Sequence, residues 1–407
     1  MKEKTQNTGL TRREFVKTVG LAGLAAGAGA SQVLAAAEPK AGAPKAAAVP
    51  KRKLGKTGVD VPILNLGCMI DTINNQLLLK QARNWGVTYW DTAESYGNGL
   101  SEEGLGRYFA RNPGARQEIF LVTKLVAKKG DLSNRLEQSL KRLKTDHVDL
   151  FFIHAICGIE EMTPAIKEWA AGMKKAGKFK FFGFSTHTNM ENCLAGAAKL
   201  DWIDAAMITY NFRLMHTPKM QAAVNACVKA GVGLVAMKTQ GGGPVKCDSE
   251  AELKMAGRFV EKGFTDKQAR LKAVWENPNI ASICSQMPNL TILGANVAAA
   301  RDLTKLTQGD FDSMREYALE TACGYCAGCG RICMAAVDGQ VPVNDVMRCL
   351  MYHRDYGEPD LARAAFAGLT EEVRQRLTNL DYTRAEQACP QGLPITRLMR
   401  QAEEMLA

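Results

Sequence analysis

The chain alternates between short, β-prone apolar runs and longer amphipathic stretches, and this alternation limits the folds open to it. The apolar runs fall at 63–69, 87–93, 119–125, 148–155, 179–185, 205–211, 233–237 and 280–285. Eight strand–helix rounds in about 250 residues predict an α/β protein with a parallel (β/α)8 TIM barrel. An open doubly wound sheet is the alternative. The first run, however, ends in Leu66-Gly67-Cys68-Met69, which is not a GxGxxG phosphate loop.

Ionisable residues follow three of the predicted strands. Asp91 and Tyr96 follow the second run, Lys124 ends the third, and His154 ends the fourth. In a parallel barrel these positions lie at the mouth, where the chemistry of such folds takes place. The pattern predicts a proton-delivery set in which Asp91 anchors Lys124, Lys124 lowers the pKa of Tyr96, and His154 orients a carbonyl oxygen. His187, after the fifth run, is either a substrate contact or an ordinary loop histidine.

A cluster of cysteines near the C-terminus has the spacing of an iron–sulfur site. The thiols belong to Cys323, Cys326, Cys329, Cys333 and the distant Cys389, which precedes a proline. Three thiolates at a constant step cap three corners of a cubane, and a distant Cys-Pro closes the fourth. Zinc is the alternative, although zinc sites usually take cysteines as two separated pairs. The sequence therefore predicts one [4Fe–4S] cluster in a small, mostly helical domain at 311–407.

The first 37 residues have the pattern of an export signal. Thr11-Arg12-Arg13-Glu14-Phe15-Val16-Lys17 precedes a mildly apolar, glycine-interrupted stretch and then Ala35-Ala36-Ala37. This pattern is typical of a twin-arginine signal peptide at 1–37, followed by a flexible linker at 38–52. A membrane anchor is the alternative, but the apolar stretch is shorter than the roughly 20 residues a span needs. We expect the twin-arginine translocase to export the folded protein to the periplasm or another extracytoplasmic space, where it is not an integral membrane protein.

The charge of the chain gives no sign of a nucleic-acid partner. The formal net charge is +10, and hydrophobic residues make up 46% of the chain. This hydrophobic fraction suits an ordinary globular protein. The basic residues form no run interleaved with aromatics, so we expect the protein not to bind nucleic acid.

The residues at the strand ends resemble those of a known family. Segment 54–69, the motif at 91–97, Lys124 after its strand and His154 after Asp149-Leu150-Phe151-Phe152-Ile153 together resemble the aldo/keto reductases. The resemblance implies an NAD(P)H-dependent reductase barrel at 53–310. In that barrel Tyr96 donates a proton to a small carbonyl substrate, or accepts one from an alcohol. The region 311–407 looks like the ferredoxin-like extension of the exported iron–sulfur branch.

The same resemblance assigns residues to the nucleotide. Ser185 and Thr186 stand where typical members have a Ser-Asn pair, and Met237 stands where they have a tyrosine that stacks on the nicotinamide. Lys238 and the glycines at 241–243 are candidate pyrophosphate contacts, with a flexible loop as the alternative. No cation follows the eighth strand to meet a 2′-phosphate. The expected nucleotide contacts are Ser185, Thr186, Tyr210, Met237, Lys238 and Asn296.

The cluster ligands follow from the two-cluster ferredoxin plan, in which the last cysteine of each run serves the other cluster. Counting back from Cys389 by the same steps gives Ala385, Tyr382 and Asn379, so one cluster is expected. This rule selects Cys323, Cys326, Cys329 and Cys389. A local set that uses Cys333 is the alternative.

Three functional hypotheses follow from these patterns. The first is an exported oxidoreductase that interconverts a carbonyl compound and an alcohol, with the cluster serving for electron relay or structure. The second is a periplasmic iron–sulfur electron carrier on a catalytically altered aldo/keto reductase scaffold, which would need a redox partner protein. The third is a zinc-stabilised binding protein without redox chemistry.

Overall fold

The computed structural model describes residues 48–128, 130–242 and 250–407 of the chain. The predicted signal peptide at 1–37 and residues 38–47 of the predicted linker lie outside the described residues. The barrel and the helical region that follows it belong to one compact unit.

The fold starts with a short antiparallel hairpin, not with a flexible linker that runs to residue 52. Strands β1 (Lys51–Lys53) and β2 (Asp60–Pro62) pair with Lys51 opposite Pro62. Val49 is buried in the main core. The Arg52 guanidinium donates to the carbonyl oxygens of Asn277 and Ile280 at 2.9 Å each. The predicted boundary at 52/53 is therefore a few residues late, because this polar segment is ordered by contacts distant in sequence.

Eight parallel strands then close a barrel, and this confirms the predicted (β/α)8 fold. Strand β10 pairs with both β9 and β3, so the sheet has no free edge. Tyr89, Val122, Leu150 and Phe152 point into an interior cluster that the strands share. The strands are β3 (Leu64–Gly67), β4 (Tyr89–Asp91), β5 (Phe120–Leu125), β6 (Val148–Ile153), β7 (Phe179–Thr186), β8 (Ala205–Thr209), β9 (Gly233–Met237) and β10 (Ile280–Gln286).

Ten helices connect or flank these strands in the described part of the chain up to Arg301. They are α1 (Gln76–Asn84), α2 (Leu100–Arg111), α3 (Ala115–Glu118), α4 (Leu132–Leu143), α5 (Pro164–Lys175), α6 (Met190–Ala197), α7 (Pro218–Lys229), α8 (Glu250–Glu261), α9 (Asp266–Trp275) and α10 (Leu290–Arg301). Helix α4 shows why these segments are helical. The Asp131 side chain accepts from the backbone N–H of Ser133 at 2.8 Å and caps the helix, while Leu136 and Leu140 are buried one turn apart.

The remaining helices form the C-terminal region, which is helical as predicted. They are α11 (Gln308–Glu320), α12 (Gly330–Ala336), α13 (Val343–Arg354), α14 (Pro359–Ala367), α15 (Glu371–Arg376), α16 (Thr383–Ala388) and α17 (Ile395–Leu406). Met314 and Tyr317 of α11 share a core cluster with Phe212 and Phe259 of the barrel. The predicted domain boundary at 310/311 therefore cuts through a helix that packs on the barrel.

None of the helices in the described ranges has both the length and the apolar character needed to cross a bilayer.

Candidate active site

Three of the predicted catalytic side chains meet at the carboxyl ends of β4 and β5. Lys124 donates a hydrogen bond from Nζ to Oδ1 of Asp91, which forms a buried ion pair. The same Nζ donates to the carbonyl oxygen of Thr92 at 2.8 Å and to Oη of Tyr96 at 3.3 Å. Asp91 and Lys124 are each 1% exposed. The lysine is thus fixed between a carboxylate and the phenol, because adjacent parallel strands bring their ends together.

Burial and charge act against each other in this group. Burial lowers the pKa of Lys124, but Asp91, Tyr96 and Cys284 together outweigh it, and the net pKa lies above the ordinary value. Burial raises the pKa of Tyr96, while the Lys124 ammonium acts in the opposite direction and does not fully offset it. Lys124 therefore lowers the pKa of Tyr96 as expected, but by less than burial raises it. The phenol stays protonated at neutral pH, as a proton donor requires.

His154 lies beside Tyr96 at the end of β6. The two rings meet edge to face, with centroids 5.8 Å apart and planes at 79°. The backbone N–H of His154 donates to the carbonyl oxygen of Leu125 at 2.8 Å. The next residue, Ala155, has φ of 56° and donates its N–H to Oγ of Ser185 at 3.0 Å. The four predicted catalytic residues are thus brought together, and Ser185 holds the backbone that follows the histidine.

Two charged pairs near this group were not singled out in the sequence. Glu102 is fully buried and accepts from Oγ1 of Thr123 at 2.6 Å and from Nε of Arg142 at 2.7 Å. Glu94 forms an ion pair with Arg135. Glu94 lies within the motif at 91–97, and Glu102 follows that motif closely, so their position was the available signal. These pairs hold the loop that carries Tyr96 against β5 and α4.

The expected nucleotide contacts are dispersed. The Thr186 hydroxyl lies 2.7 Å from the carbonyl oxygen of Ile156 and is buried. Tyr210 accepts at Oη from Nδ2 of Asn277 at 2.9 Å within the outer core. Asn296 donates from Nδ2 to Oγ of Ser285 at 3.0 Å, and Met237 packs in the barrel interior. Of the six expected contacts, only Lys238 lines the cavity at the barrel mouth.

This mouth cavity lies between the strand ends and the C-terminal region. Its volume is about 50 Å³. The barrel contributes residues that follow β7 and β9. The C-terminal region contributes helix α13 and the segment at 323–329, which we call the cysteine loop. The main lining residues are His187, Thr188, Lys238, Gly242, Tyr325, Cys326, Asn344, Met347 and Arg348.

The cysteine loop is bound directly to the barrel mouth. Oη of Tyr325 accepts from Nδ2 of Asn211 at 3.0 Å. The backbone N–H of Asn189 donates to the carbonyl oxygen of Gly328 at 2.9 Å. Gly242 has φ of +78°, and the Tyr325 ring lies against it. The loop therefore covers part of the glycine segment that was a candidate pyrophosphate contact.

Four thiols line a second cavity of about 20 Å³, the cysteine cavity. They belong to Cys326, Cys329, Cys333 and Cys389. Apolar side chains, including Val343, complete the wall. The cavity contains the alternative ligand Cys333, whereas the side chain of Cys323 lies outside the described part of the structure.

The electrostatics of the thiols reflect their proximity. Burial raises the pKa of Cys326 to about 12, and negative charge on the other three thiols acts in the same direction. Cys326 is therefore protonated at neutral pH, and four thiolates would share this apolar cavity only with a cation bound between them. Within the described residues, no three histidine, cysteine or acidic side chains form a group suited to binding a metal ion.

Comparison with known proteins identifies the family. The model of the aldo/keto reductase family matches residues 71–308. The chain is 31% identical over 220 residues to an NADP(+)-named aldo-keto reductase, yakc, of Schizosaccharomyces pombe, covering 48% of this chain and 62% of that protein. It is 30% identical over 283 residues to the aldo-keto reductase str7 of Strobilurus tenacellus, covering 60% and 81%. The match spans less than two thirds of the length of the first of these relatives.

Solved structures of the same family have the same fold. The thermostable aldo-keto reductase Tm1743, bound to the inhibitor epalrestat, is similar with a TM-score of 0.53 and 26% identity, covering 65% of this chain and 98% of that one. An aldo-keto reductase of Klebsiella pneumoniae in complex with NADPH is similar with a TM-score of 0.54 and 19% identity, covering 67% and 96%. At that identity the second likeness concerns the fold alone. The family model covers more than half of the chain, and its match coincides with the barrel that carries Asp91, Tyr96, Lys124 and His154. The chain therefore belongs to the aldo/keto reductase family.

Proposed function

We propose that the protein reduces a small aldehyde or ketone, or oxidises the corresponding alcohol, with Tyr96 as the proton donor. The observation that carries this proposal is the position of the Lys124 ammonium, which donates hydrogen bonds to Asp91 and to Oη of Tyr96 at the barrel mouth. Family membership supports the same reaction class.

The proton transfer follows from the contacts of the phenol. Lys124 donates to the Tyr96 oxygen, so the phenolic proton is left to point toward a substrate oxygen. As the proton leaves, the phenolate gains the full attraction of the ammonium, while Asp91 keeps Lys124 charged. We propose that His154, whose ring lies edge to face with the phenol, donates to the same substrate oxygen.

We propose a nicotinamide nucleotide as the hydride carrier, because this is the chemistry of the NADP(+)-named relative and of the family. When bound, the nucleotide would supply a hydride, which is one hydrogen nucleus with two electrons, to the carbonyl carbon. Of the six expected contacts, only Lys238 lines the mouth cavity, and a volume of about 50 Å³ is too small for the nucleotide. The side chains of Thr186 and Asn296 form hydrogen bonds to other residues of the protein, and Tyr325 covers Gly242. The expected nucleotide contacts therefore fit a nucleotide only in part.

We further propose one [4Fe–4S] cluster in the cysteine cavity, which would supply one-electron transfer. Support comes from four thiols around a single apolar cavity next to the mouth. Cys326, Asn344 and Met347 line both cavities. This adjacency also favours the second candidate function, an electron-carrying protein on a reductase scaffold that exchanges electrons with a partner protein.

The proposed place of action is outside the cytoplasm. Support comes from the Arg12-Arg13 motif and the small-residue segment at 35–37, which lie outside the described residues. Export in the folded state suits a protein whose cluster is inserted before translocation.

The reductase proposal is tested by replacing the phenol. We expect Tyr96→Phe to lower carbonyl turnover by about 10²- to 10⁴-fold, the usual contribution of a general acid. The visible absorption of the proposed cluster should stay unchanged, because Tyr96 does not line the cysteine cavity. Tyr108→Phe is the control, since that tyrosine is buried in the outer core. Unchanged turnover in Tyr96→Phe would refute the assignment and favour the electron carrier.

A further inference from the structure

Three nitrogen-bearing side chains from separate elements line the mouth cavity. His187 follows β7, Lys238 follows β9, and Arg348 lies in α13. Lys238 has φ of 55°, a left-handed conformation that is uncommon for a non-glycine residue and clusters at functional sites. Its ammonium lies 6.0 Å from the centre of the Tyr352 ring. Among the residues that the structure describes, no carboxylate forms an ion pair with Lys238.

His187 presents a polar atom without a partner. Its Nδ1 is buried and makes no hydrogen bond to any described residue. Buried polar atoms are nearly always paired, so this nitrogen of a residue that lines the cavity can form a hydrogen bond with a bound molecule. Arg348 shares one nitrogen with Asp345 at 3.1 Å, and its guanidinium has further N–H groups to donate. The cavity is lined by three basic residues, Lys238, Arg348 and Arg354, and by one acidic residue, Asp355.

The cavity volume distinguishes between two anions that could bind here, a small carboxylate and a dinucleotide. One water needs about 10–15 Å³ of such space, so about 50 Å³ holds roughly three or four water-sized groups. A carboxylate with a short stem has this size. A dinucleotide does not, and Tyr325 blocks its extension along Gly242.

The four predicted catalytic residues do not line the mouth cavity, but His187 does, and it is close enough to His154 and Lys124 for their charges to act on it. Burial holds the pKa of His187 well below its usual value, and the positive charges of Lys238, Arg348, His154 and Lys124 act in the same direction. His187 therefore interacts electrostatically with the cations of the cavity, Lys238 and Arg348, and with the catalytic residues His154 and Lys124.

We propose that the mouth cavity binds the carboxylate of the substrate, with Lys238 and Arg348 as its cationic contacts and His187 as a further polar contact. The inference rests on the proposed reductase function and names its substrate class, which is a small oxo acid whose carbonyl group reaches toward Tyr96. The helical C-terminal region then supplies part of the specificity, because Arg348 belongs to it.

Calorimetric titration at pH 6 tests the proposal on the full-length protein as isolated. Burial lowers the pKa of Lys238 to about 7, so most of this amine carries its positive charge at pH 6. The probes are pyruvate, 4-oxopentanoate and 5-oxohexanoate, each compared with its neutral methyl ester. We expect at least one acid to bind about tenfold more tightly than its ester, as a charge-assisted contact of about 1.4 kcal/mol would give. Lys238→Met and Arg348→Met should abolish this preference, and Lys238→Arg should restore part of it. Lys254→Met, a surface lysine paired with Glu316, is the matched control.

Equal binding of acids and esters would overturn the proposal, as would a preference that survives Lys238→Met. Inorganic phosphate and NADPH serve as competitors. Tighter, Lys238-dependent binding of either would assign the cavity to a phosphate group and would also refute the oxo-acid assignment. Because these measurements record binding and not turnover, they can be repeated in the Tyr96→Phe background. Failure of the reductase proposal is therefore distinguishable from failure of this one.

Discussion

Tyr325 packs its ring against the backbone of Gly242, so closely that a Cβ atom added to Gly242 would lie 2.6 Å from Cδ2 of the ring. The contact joins the cysteine loop to the segment that follows β9. It links the part of the chain that was expected to hold a cluster with the part that was expected to hold a nucleotide.

Substitution of Gly242 tests this contact. Gly242→Ala should lower the free energy of unfolding by about 1–2 kcal/mol for the left-handed backbone and by about 1–3 kcal/mol more for the overlap with Tyr325. Gly114→Ala is the matched control, because Gly114 has φ of +85° and nothing within 4 Å of the added Cβ. Denaturant unfolding of both variants measures the difference. Equal losses in the two variants would show that the ring does not rest on Gly242.

The buried pair of Lys124 and Asp91 makes a second prediction. Lys124→Met should lower the free energy of unfolding by about 3–5 kcal/mol, because it leaves a buried carboxylate without its partner. Asp91→Asn combined with Lys124→Met removes both charges, so the double variant should be less destabilised than the two single losses added together. Lys254→Met should change stability by about 0–1 kcal/mol, as for a surface pair. Additive losses in the double variant would contradict a coupled pair.

The cysteine cavity predicts which thiols hold iron. Anaerobically purified Cys333→Ser and Cys389→Ser should each lose most of the iron and the visible absorption of the wild-type protein, because both side chains line the cavity. Cys157→Ser is the control, since this thiol is exposed and lies outside the cavity. Iron analysis of Cys323→Ser then separates the two ligand sets. Iron retained in Cys333→Ser and lost in Cys323→Ser would restore the crossed assignment.

Lys238 predicts an unusual reactivity toward acylating reagents. Burial lowers the pKa of Lys238 to about 7, and Arg348 adds to this, while Cys326 and Asp345 act in the opposite direction. At pH 8 most of this amine is neutral and nucleophilic, whereas an ordinary lysine with a pKa near 10.4 is almost fully protonated. A limiting amount of acetic anhydride at pH 8 should therefore modify Lys238 ahead of Lys254, as read by peptide mass spectrometry.

The advantage of Lys238 should shrink as the pH falls below 7, because its amine then becomes protonated like the others. His187, Arg348, Asp345, Cys326, Arg354, Asp355 and Tyr352 are the titratable or charged groups around it. A bound oxo acid should also protect Lys238. Modification of Lys254 before Lys238 at every pH would contradict the lowered pKa.

The export proposal makes a prediction about the precursor. Replacing Arg12 and Arg13 by lysines should leave the full-length chain in the cytoplasm, since twin-arginine transport depends on that pair. Cell fractionation with immunoblotting measures the distribution. Replacement of Lys2 and Lys4 by arginine is the control, because it keeps the charge and leaves the motif intact. Processed protein in the extracytoplasmic fraction of the first variant would exclude this route.

The barrel could be predicted from the sequence because its strands are buried on both faces and read as continuous apolar runs. Helix α4 could be predicted because Asp131 caps it and leucines recur at spacings of three and four. The domain boundaries at 52 and 310 could not be predicted correctly, because Arg52 and Met314 are ordered by contacts with distant segments.

The site was predictable where one short segment carries it, as for Asp91 and Tyr96. The mouth cavity was not, because His187, Lys238 and Arg348 come from three elements far apart in sequence. Tyr210 shows the same limit, since its orientation toward Asn277 depends on a contact 67 residues away. Spacing favoured Cys323 over Cys333 as a ligand, whereas the structure shows Cys333 in the wall of the cysteine cavity.

The docking of α13 and the cysteine loop on the strand ends has a consequence for how this chain can be dissected. A shortened version that stops after α10 would keep every strand and the whole proton-delivering group, yet it would lose Arg348 and Tyr325 from above them. In such a fragment the helical extension would no longer cover the strand ends, so larger and uncharged molecules could reach them. The helical extension lines part of the mouth cavity and shares a core cluster with the barrel, so the two halves of this protein are not interchangeable modules.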